Sequence, residues 1–183
     1  MTAIPVGAEL RGALLTCLAV PRWAHAVVAR APFDSAAALI ECARKAATPL
    51  SRDDIDEAMT EHPRIGDKPT GNSPAAGFSR SEQSSVDADD AALATLMAAG
   101  NRSYEERFDR VFLIRAAGRT RREILAELHR RLTLDDETEA EIVGSELRDI
   151  ALLRLAVLAR GWQDIPVPKN EMTDTAAPTG DAR

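Results

Sequence analysis

The sequence predicts an all-α fold, a single-domain bundle of several helices. Two observations carry that expectation. Of 183 residues 45% are apolar, mostly Ala and Leu, while only 4% are aromatic; strands favour Val, Ile, Tyr, Phe and Thr, and this mixture favours helices. Apolar residues also recur at three- and four-residue spacing, with Pro, Gly and capping residues punctuating the runs.

In chain order, Leu10, Leu14, Leu15, Leu18 and Ala19 form a helical stripe over residues 7–20, ended by Pro21. A second helix over 22–30 carries Trp23, Ala26 and Val27 and stops at Pro32. Asp34 is the expected N-cap of a third, reaching about residue 47. Ser51 caps a fourth, whose Ile55, Ala58 and Met59 mark one face; His62 falls next on it. Pro63 disfavours helical geometry at His62, so an imidazole is expected at a helix C-terminus, facing inward.

Residues 64–78 hold Gly66, Pro69, Gly71, Pro74 and Gly77, a long loop, and long loops in compact domains are often functional. Its Gly66–Ser73 stretch nearly spells a phosphate-binding loop. Asn72 replaces the essential Lys, a Pro lies inside and no strand precedes it, so that reading fails.

Ser79-Arg80-Ser81-Glu82 is a capping box expected to open a helix to about residue 99. Gly100-Asn101 is expected to break it, with a further short helix over 104–109. Val111-Phe112-Leu113-Ile114 is strand-like or buried extended chain, and Gly118 ends it. Thr120 and Glu123 form a second capping box for a helix through Leu132. Asp135 or Asp136 starts a last long helix to about 160. The domain is expected to span residues 1–168. Residues 169–183 are Pro-, Asp- and Thr-rich with little to bury, and are expected to be disordered.

The net charge of −6 argues against a nucleic-acid binder, although the Arg-rich run 102–131 could form a local basic patch. Cys17 and Cys42 show no metal spacing and read as buried small residues in a reducing compartment. No apolar run approaches membrane-spanning length, and the N-terminus has no signal-peptide core. A soluble cytoplasmic protein is expected.

Three polar residues stand out. His62 is either a core or capping histidine bonded to a carbonyl, or an acid/base group. Arg154 shares a stripe with Leu147, Ile150, Ala151 and Leu158, so its guanidinium must snorkel, pair with a carboxylate or bind an anion. Glu82 is either the third helical residue of a capping box or a site carboxylate at a helix start suited to anions. His25 and His129 are assigned no role.

Several separated motifs then carry a resemblance over residues 10–162. They are Arg22-Trp23-Ala24 with Arg30-Ala31-Pro32-Phe33; His62-Pro63-Arg64-Ile65-Gly66-Asp67; Ser79-Arg80-Ser81-Glu82-Gln83; Asn101-x-x-Tyr104-x-x-x-Phe108 running into Phe112-Leu113-Ile114; and Glu146-Leu147-Arg148-Asp149-Ile150 through Leu153-Arg154-Leu155. In this order they resemble the 2-oxo-4-hydroxy-4-carboxy-5-ureidoimidazoline (OHCU) decarboxylase family of urate degradation. The resemblance implies an all-helical carboxy-lyase without metal or other cofactor, usually a homodimer, forming (S)-allantoin from a cyclic ureide. It places catalytic roles on His62, Glu82 and Arg154. Substrate contacts fall on Pro63, Ser79, Arg80, Ser81, Glu82 and Gln83, and on the chain after Ile114: Arg115, Ala116, Ala117 and Gly118. Departures are Phe78 where the family often has Trp, Arg115 where it commonly has Cys, and Leu134-Asp135 in place of Asn-Asp. The competing readings are a non-catalytic helical interaction module and a decarboxylase of a related cyclic ureide.

Overall fold

A computed structural model describes residues 4–60, 62, 64–65, 77–78, 82 and 90–163. Seven helices and no strand occur among them: α1 Gly7–Cys17, α2 Pro21–Val28, α3 Ala36–Ala46, α4 Arg52–Met59, α5 Ala91–Phe108, α6 Arg121–Arg131 and α7 Asp136–Gln163. The all-α expectation holds. The expected domain limit at 168 and the tail 169–183 lie outside the described residues.

The last helix organises the others. At 1.5 Å per residue its 28 residues reach about 42 Å. Helices α1, α3 and α4 pack along it, α2 bridges α1 and α3, and α5 pairs with α6. Val143, Leu147, Ile150, Ala151 and Leu155 of α7 are buried against Leu10, Leu14, Leu39, Ala43, Ile55 and Ala58 of the first four helices. A second core joins Leu93, Met97, Tyr104 and Phe108 of α5 to Ile124, Leu125 and Leu128 of α6.

Between the two cores runs the extended segment after α5. Its side chains alternate: Leu113 joins the first core, whereas Phe112 and Ile114 join the second. That is the two-residue period of extended chain. The strand-like run of the sequence is therefore buried extended chain that stitches two helical groups together.

Several boundaries follow the expected caps. Ser51 and Asp54 form a capping box on α4, and Thr120 and Glu123 form one on α6. Asp135 opens α7: its Oδ1 accepts from Thr138 N and its Oδ2 from Thr138 Oγ1, both at 2.8 Å. Others are corrected. Helix α1 ends at Cys17, three residues early, where Leu18 turns extended. Helix α2 starts at Pro21 itself, the first helical position, where a missing N–H costs nothing. It buries Trp23, Ala24 and Val27, while Ala26 is exposed. The third helix is capped by Ser35 rather than Asp34; the Ser35 hydroxyl accepts from Ala38 N at 3.1 Å.

The expected break at Gly100-Asn101 does not occur: α5 is one helix from an Asp90 cap to a left-handed Asp109. Glycine serves there as a contact surface, since a Cβ at Gly100 would stand 2.9 Å from Leu128 Cδ2. Close approach of α6 requires the missing side chain, and the helix tolerates it. The Ser79 capping box lies outside the described residues.

Part of the Arg-rich run is engaged within the fold: Arg131 is fully buried, Arg110 pairs with Asp136, Arg130 pairs with Glu127, and Arg107 donates to the Leu134 carbonyl. Both cysteines are free; Cys17 is buried, and Cys42 is only half-buried.

Candidate functional site

The Arg22-Trp23 motif is scaffold. Trp23 Nε1 donates to the Ala43 carbonyl at 2.9 Å, tying α2 to α3. Arg22 Nη2 donates to Ser51 Oγ at 2.8 Å and pairs with Asp54, tying α2 to the start of α4. Helix α4 is thereby fixed at the end opposite His62.

At the other end α4 unwinds through Thr60, and His62 N–H reaches the Met59 carbonyl at 3.3 Å. The half-buried imidazole turns back along the helix, its Nδ1 2.8 Å from the Ala58 carbonyl. A carbonyl can only accept, so Nδ1 carries the proton and Nε2 is the basic nitrogen of the neutral ring. Nε2 is shielded from solvent. The carbonyl bond expected of a structural histidine and the fixed tautomer needed by an acid/base histidine are here the same contact.

The chain beyond His62 is held by α5. Arg64 forks onto Glu105, Nε to Oε1 and Nη2 to Oε2, both at 2.6 Å. Asn101 Nδ2 donates to the Ile65 carbonyl at 2.8 Å. Asn101 and Glu105 lie one helical turn apart, so one face of α5 grips two successive residues of the histidine motif.

Arg154 and Glu82 meet. Arg154 Nε donates to Glu82 Oε1 and Nη2 to Oε2, each at 2.7 Å, across 72 positions of sequence. The guanidinium is 6% exposed and the carboxylate 19%. Nη1 faces the Cys17 carbonyl at 3.5 Å, at the negative end of α1. Phe78 presents its ring 5.8 Å from the Arg154 Cζ. The Cys17 thiol lies close enough to respond: burial pushes it up to about 12, Arg154 opposes this, and Glu82 adds to it. It is therefore a protonated packing group at neutral pH, not a nucleophile.

Of the other expected contacts, Ile114 and Ala116 are buried, Arg115 and Ala117 are half-buried, and Gly118 is exposed at φ +80°. Arg115 N–H donates to Glu146 Oε2 at 2.7 Å. Pro63, Ser79, Arg80, Ser81 and Gln83 lie outside the described residues. His25 and His129 are exposed. No group of three or more potential metal ligands occurs among the described residues, and no helix there is long and apolar enough to cross a membrane.

A cleft of about 630 Å³ opens elsewhere, between the α3–α4 turn and the first half of α7. Leu50, Ile55, Ala140 and Gly144 line it, and its rim arginines pair locally, Arg52 with Asp136 and Arg148 with Asp149. None of its lining residues belongs to the expected set. Around Arg154 it is the Glu82 carboxylate and the Cys17 carbonyl that converge.

Asn101, Glu105, Glu146 and the buried Arg131 were given no role from sequence. Asn101 and Glu146 stand inside motifs quoted above, which was the available signal; Glu105 and Arg131 sit among other charged residues of a helix and carried none.

Comparison with known proteins bears on the fold and the family. A crystal structure of OHCU decarboxylase in the presence of (S)-allantoin superposes with a TM-score of 0.65 at 26% identity, covering 80% of this chain and 96% of that one. A structure of (S)-allantoin synthase gives 0.60 at 20% identity, covering 82% of this chain and 50% of that one. The uric acid degradation bifunctional protein TTL of Arabidopsis thaliana is 39% identical over 105 residues, 56% of this chain and 32% of that protein. The chain thus spans about a third of the length of that curated relative. The family model for OHCU decarboxylase matches residues 7–156, and the chain belongs to that family.

Proposed function

We propose that this protein decarboxylates 2-oxo-4-hydroxy-4-carboxy-5-ureidoimidazoline to (S)-allantoin in urate catabolism. The observation that carries the reading is the Arg154–Glu82 fork, which joins two of the three residues that the family motifs mark, within a chain matched over residues 7–156.

The chemistry asks little of the protein beyond placement. The substrate carbon that loses CO2 bears a hydroxyl and adjoins a ring C=N. The C–C bond to the carboxylate breaks, and its electron pair becomes a C=C bond as the C=N pair moves to nitrogen. The nitrogen takes up a proton, the hydroxyl gives up its own as the ring amide carbonyl forms, and the neighbouring ring carbon takes a proton on one face. The substrate serves as its own electron sink, so holding the carboxylate out of the ring plane and steering the protons are the remaining tasks.

His62 Nε2 is the group assigned to those protons, since the Ala58 carbonyl fixes the proton on Nδ1. Glu82 faces the substrate N–H groups: each carboxylate oxygen bound by Arg154 retains a second lone pair. Arg154 holds Glu82 in place and need not touch substrate itself. Pro63, Ser79, Arg80, Ser81 and Gln83 complete the contacts, with Ile114, Arg115, Ala116, Ala117 and Gly118 as the facing wall. The same reading makes the protein a cytoplasmic homodimer that binds a cyclic ureide rather than nucleic acid; its two free cysteines suit a reducing compartment.

The test is to supply freshly generated OHCU and follow CO2 release together with the circular dichroism of the product. Achiral water protonates both faces of the planar intermediate equally, so a net (S) signal requires the protein. A racemic product released at the uncatalysed rate overturns the proposal.

A further inference from the structure

The wall after Ile114 has no regular secondary structure to hold it. Its buried peptide groups still need partners, and side chains supply them. Arg131 Nη1 donates to the Leu113 carbonyl at 2.7 Å, and the Glu146 carboxylate accepts from Arg115 N at 2.7 Å. The other Glu146 oxygen lies 3.8 Å from Arg119 Nη2. Arg119 N closes the intervening turn on the Ala116 carbonyl at 2.9 Å. One carboxylate, 14% exposed, therefore touches both ends of the turn 115–119.

Glu146 also shares a helix with Arg154, eight residues further on, about 12 Å along the axis at 1.5 Å per residue. The same rigid rod thus carries the group that holds residue 82 and the group that holds residue 115. Resting on the decarboxylase reading, we propose that Glu146 is a positioning residue: it fixes the peptide planes from Arg115 to Gly118 as the substrate-facing wall, in register with the Glu82–Arg154 pair.

Steady-state kinetics on freshly generated OHCU, with amide exchange at Arg115 followed by NMR, compare wild type, Glu146→Ala and Glu146→Gln. Gln keeps an oxygen for the Arg115 N–H and gives up the charge toward Arg119. A lost wall contact weakens binding without touching proton transfer. Glu146→Ala is expected to raise KM about tenfold or more with kcat within about threefold of wild type, the scale of one charged hydrogen bond. Arg115 amide protection falls in Ala and returns in Gln, and KM returns with it. A wild-type KM and a protected amide in Glu146→Ala overturn the proposal. So does equal loss of kcat, KM and melting temperature in both variants, which marks a merely structural role. Should wild-type protein itself fail to turn over OHCU, the decarboxylase reading falls, and exchange at Arg115 still decides whether Glu146 fixes that peptide.

Discussion

The Arg154 guanidinium and the Glu82 carboxylate form a parallel two-bond fork, both contacts 2.7 Å, in a setting where the arginine is almost wholly buried. A fork fixes the plane of the carboxylate as well as its position. An ammonium is a point charge and cannot do this. Arg154→Lys is therefore expected to keep the fold while kcat/KM falls on the order of 10²-fold, the cost of a misplacement near 1 Å. Glu82→Gln should fall at least as far. Kinetics beside far-ultraviolet circular dichroism check both; a lysine variant with wild-type kcat/KM would show that the fork is structural only.

His62 is oriented by one carbonyl on its own helix. Replacing it with Ala or Asn removes no core packing residue, so the melting temperature should change little. Stereospecific formation of (S)-allantoin is expected to drop by about 10²-fold or more, the usual scale of general acid–base catalysis. Purified His62→Ala that forms (S)-allantoin at the wild-type rate would eliminate the assignment.

Why the fold was legible and the anchoring was not has a physical explanation. Helical stripes and caps are local, so Leu10 and Leu14, the Ser51 cap, and Thr120 with Glu123 announce themselves within a few residues. The partners of Arg131, Asn101 and Glu146 are not local. Arg131 sits among charged neighbours on α6, and only tertiary packing turns it inward onto Leu113 and Glu139. Gly100 misled because glycine can break a helix or admit a neighbour, and only the proximity of Leu128 distinguishes the two. For His62 and Arg154 the bland and functional alternatives converge. The imidazole does bind a carbonyl, and the guanidinium does bind a carboxylate.

The buried cluster of Arg131, Glu139 and Tyr104 governs stability. Both charged side chains are fully buried, Arg131 Nε lies 2.9 Å from Glu139 Oε1, and the Tyr104 hydroxyl donates to the same carboxylate. Burial, then the Glu139 bond, raise the Tyr104 phenol above its ordinary range, so it stays a neutral donor. Removing one charge strands the other. Arg131→Met should destabilise the protein by about 3–5 kcal/mol, and Arg131→Met with Glu139→Leu by clearly less. Urea midpoints measured on both variants test this; a double variant no better than the single one would contradict it.

Gly100→Ala sets helix propensity against packing. The substitution favours the helix by about 1 kcal/mol. Its Cβ would meet Leu128 Cδ2 at 2.9 Å and Cδ1 at 3.2 Å, inside a closely packed core. Overpacking costs about 1–3 kcal/mol, so a net loss of roughly 1 kcal/mol is expected. Adding Leu128→Val should recover part of it, because the clash is with the far end of that side chain. Thermal melts of the single and double variants decide the matter.

Asp135 links the start of α7 to pH. Its carboxyl is held below the usual range by the Thr138 N–H first and the Thr138 hydroxyl second. A depressed folded value means that this cap stabilises the protein above the unfolded carboxylate range, near pH 4. The contribution disappears as pH falls through the lower folded value. Asp135→Asn retains an oxygen acceptor and cannot titrate. Wild type should therefore lose more melting temperature than Asp135→Asn as pH falls from about 5 toward the acid limit of folding. Parallel pH profiles for the two proteins would show instead that the Thr138 contacts contribute nothing to folding.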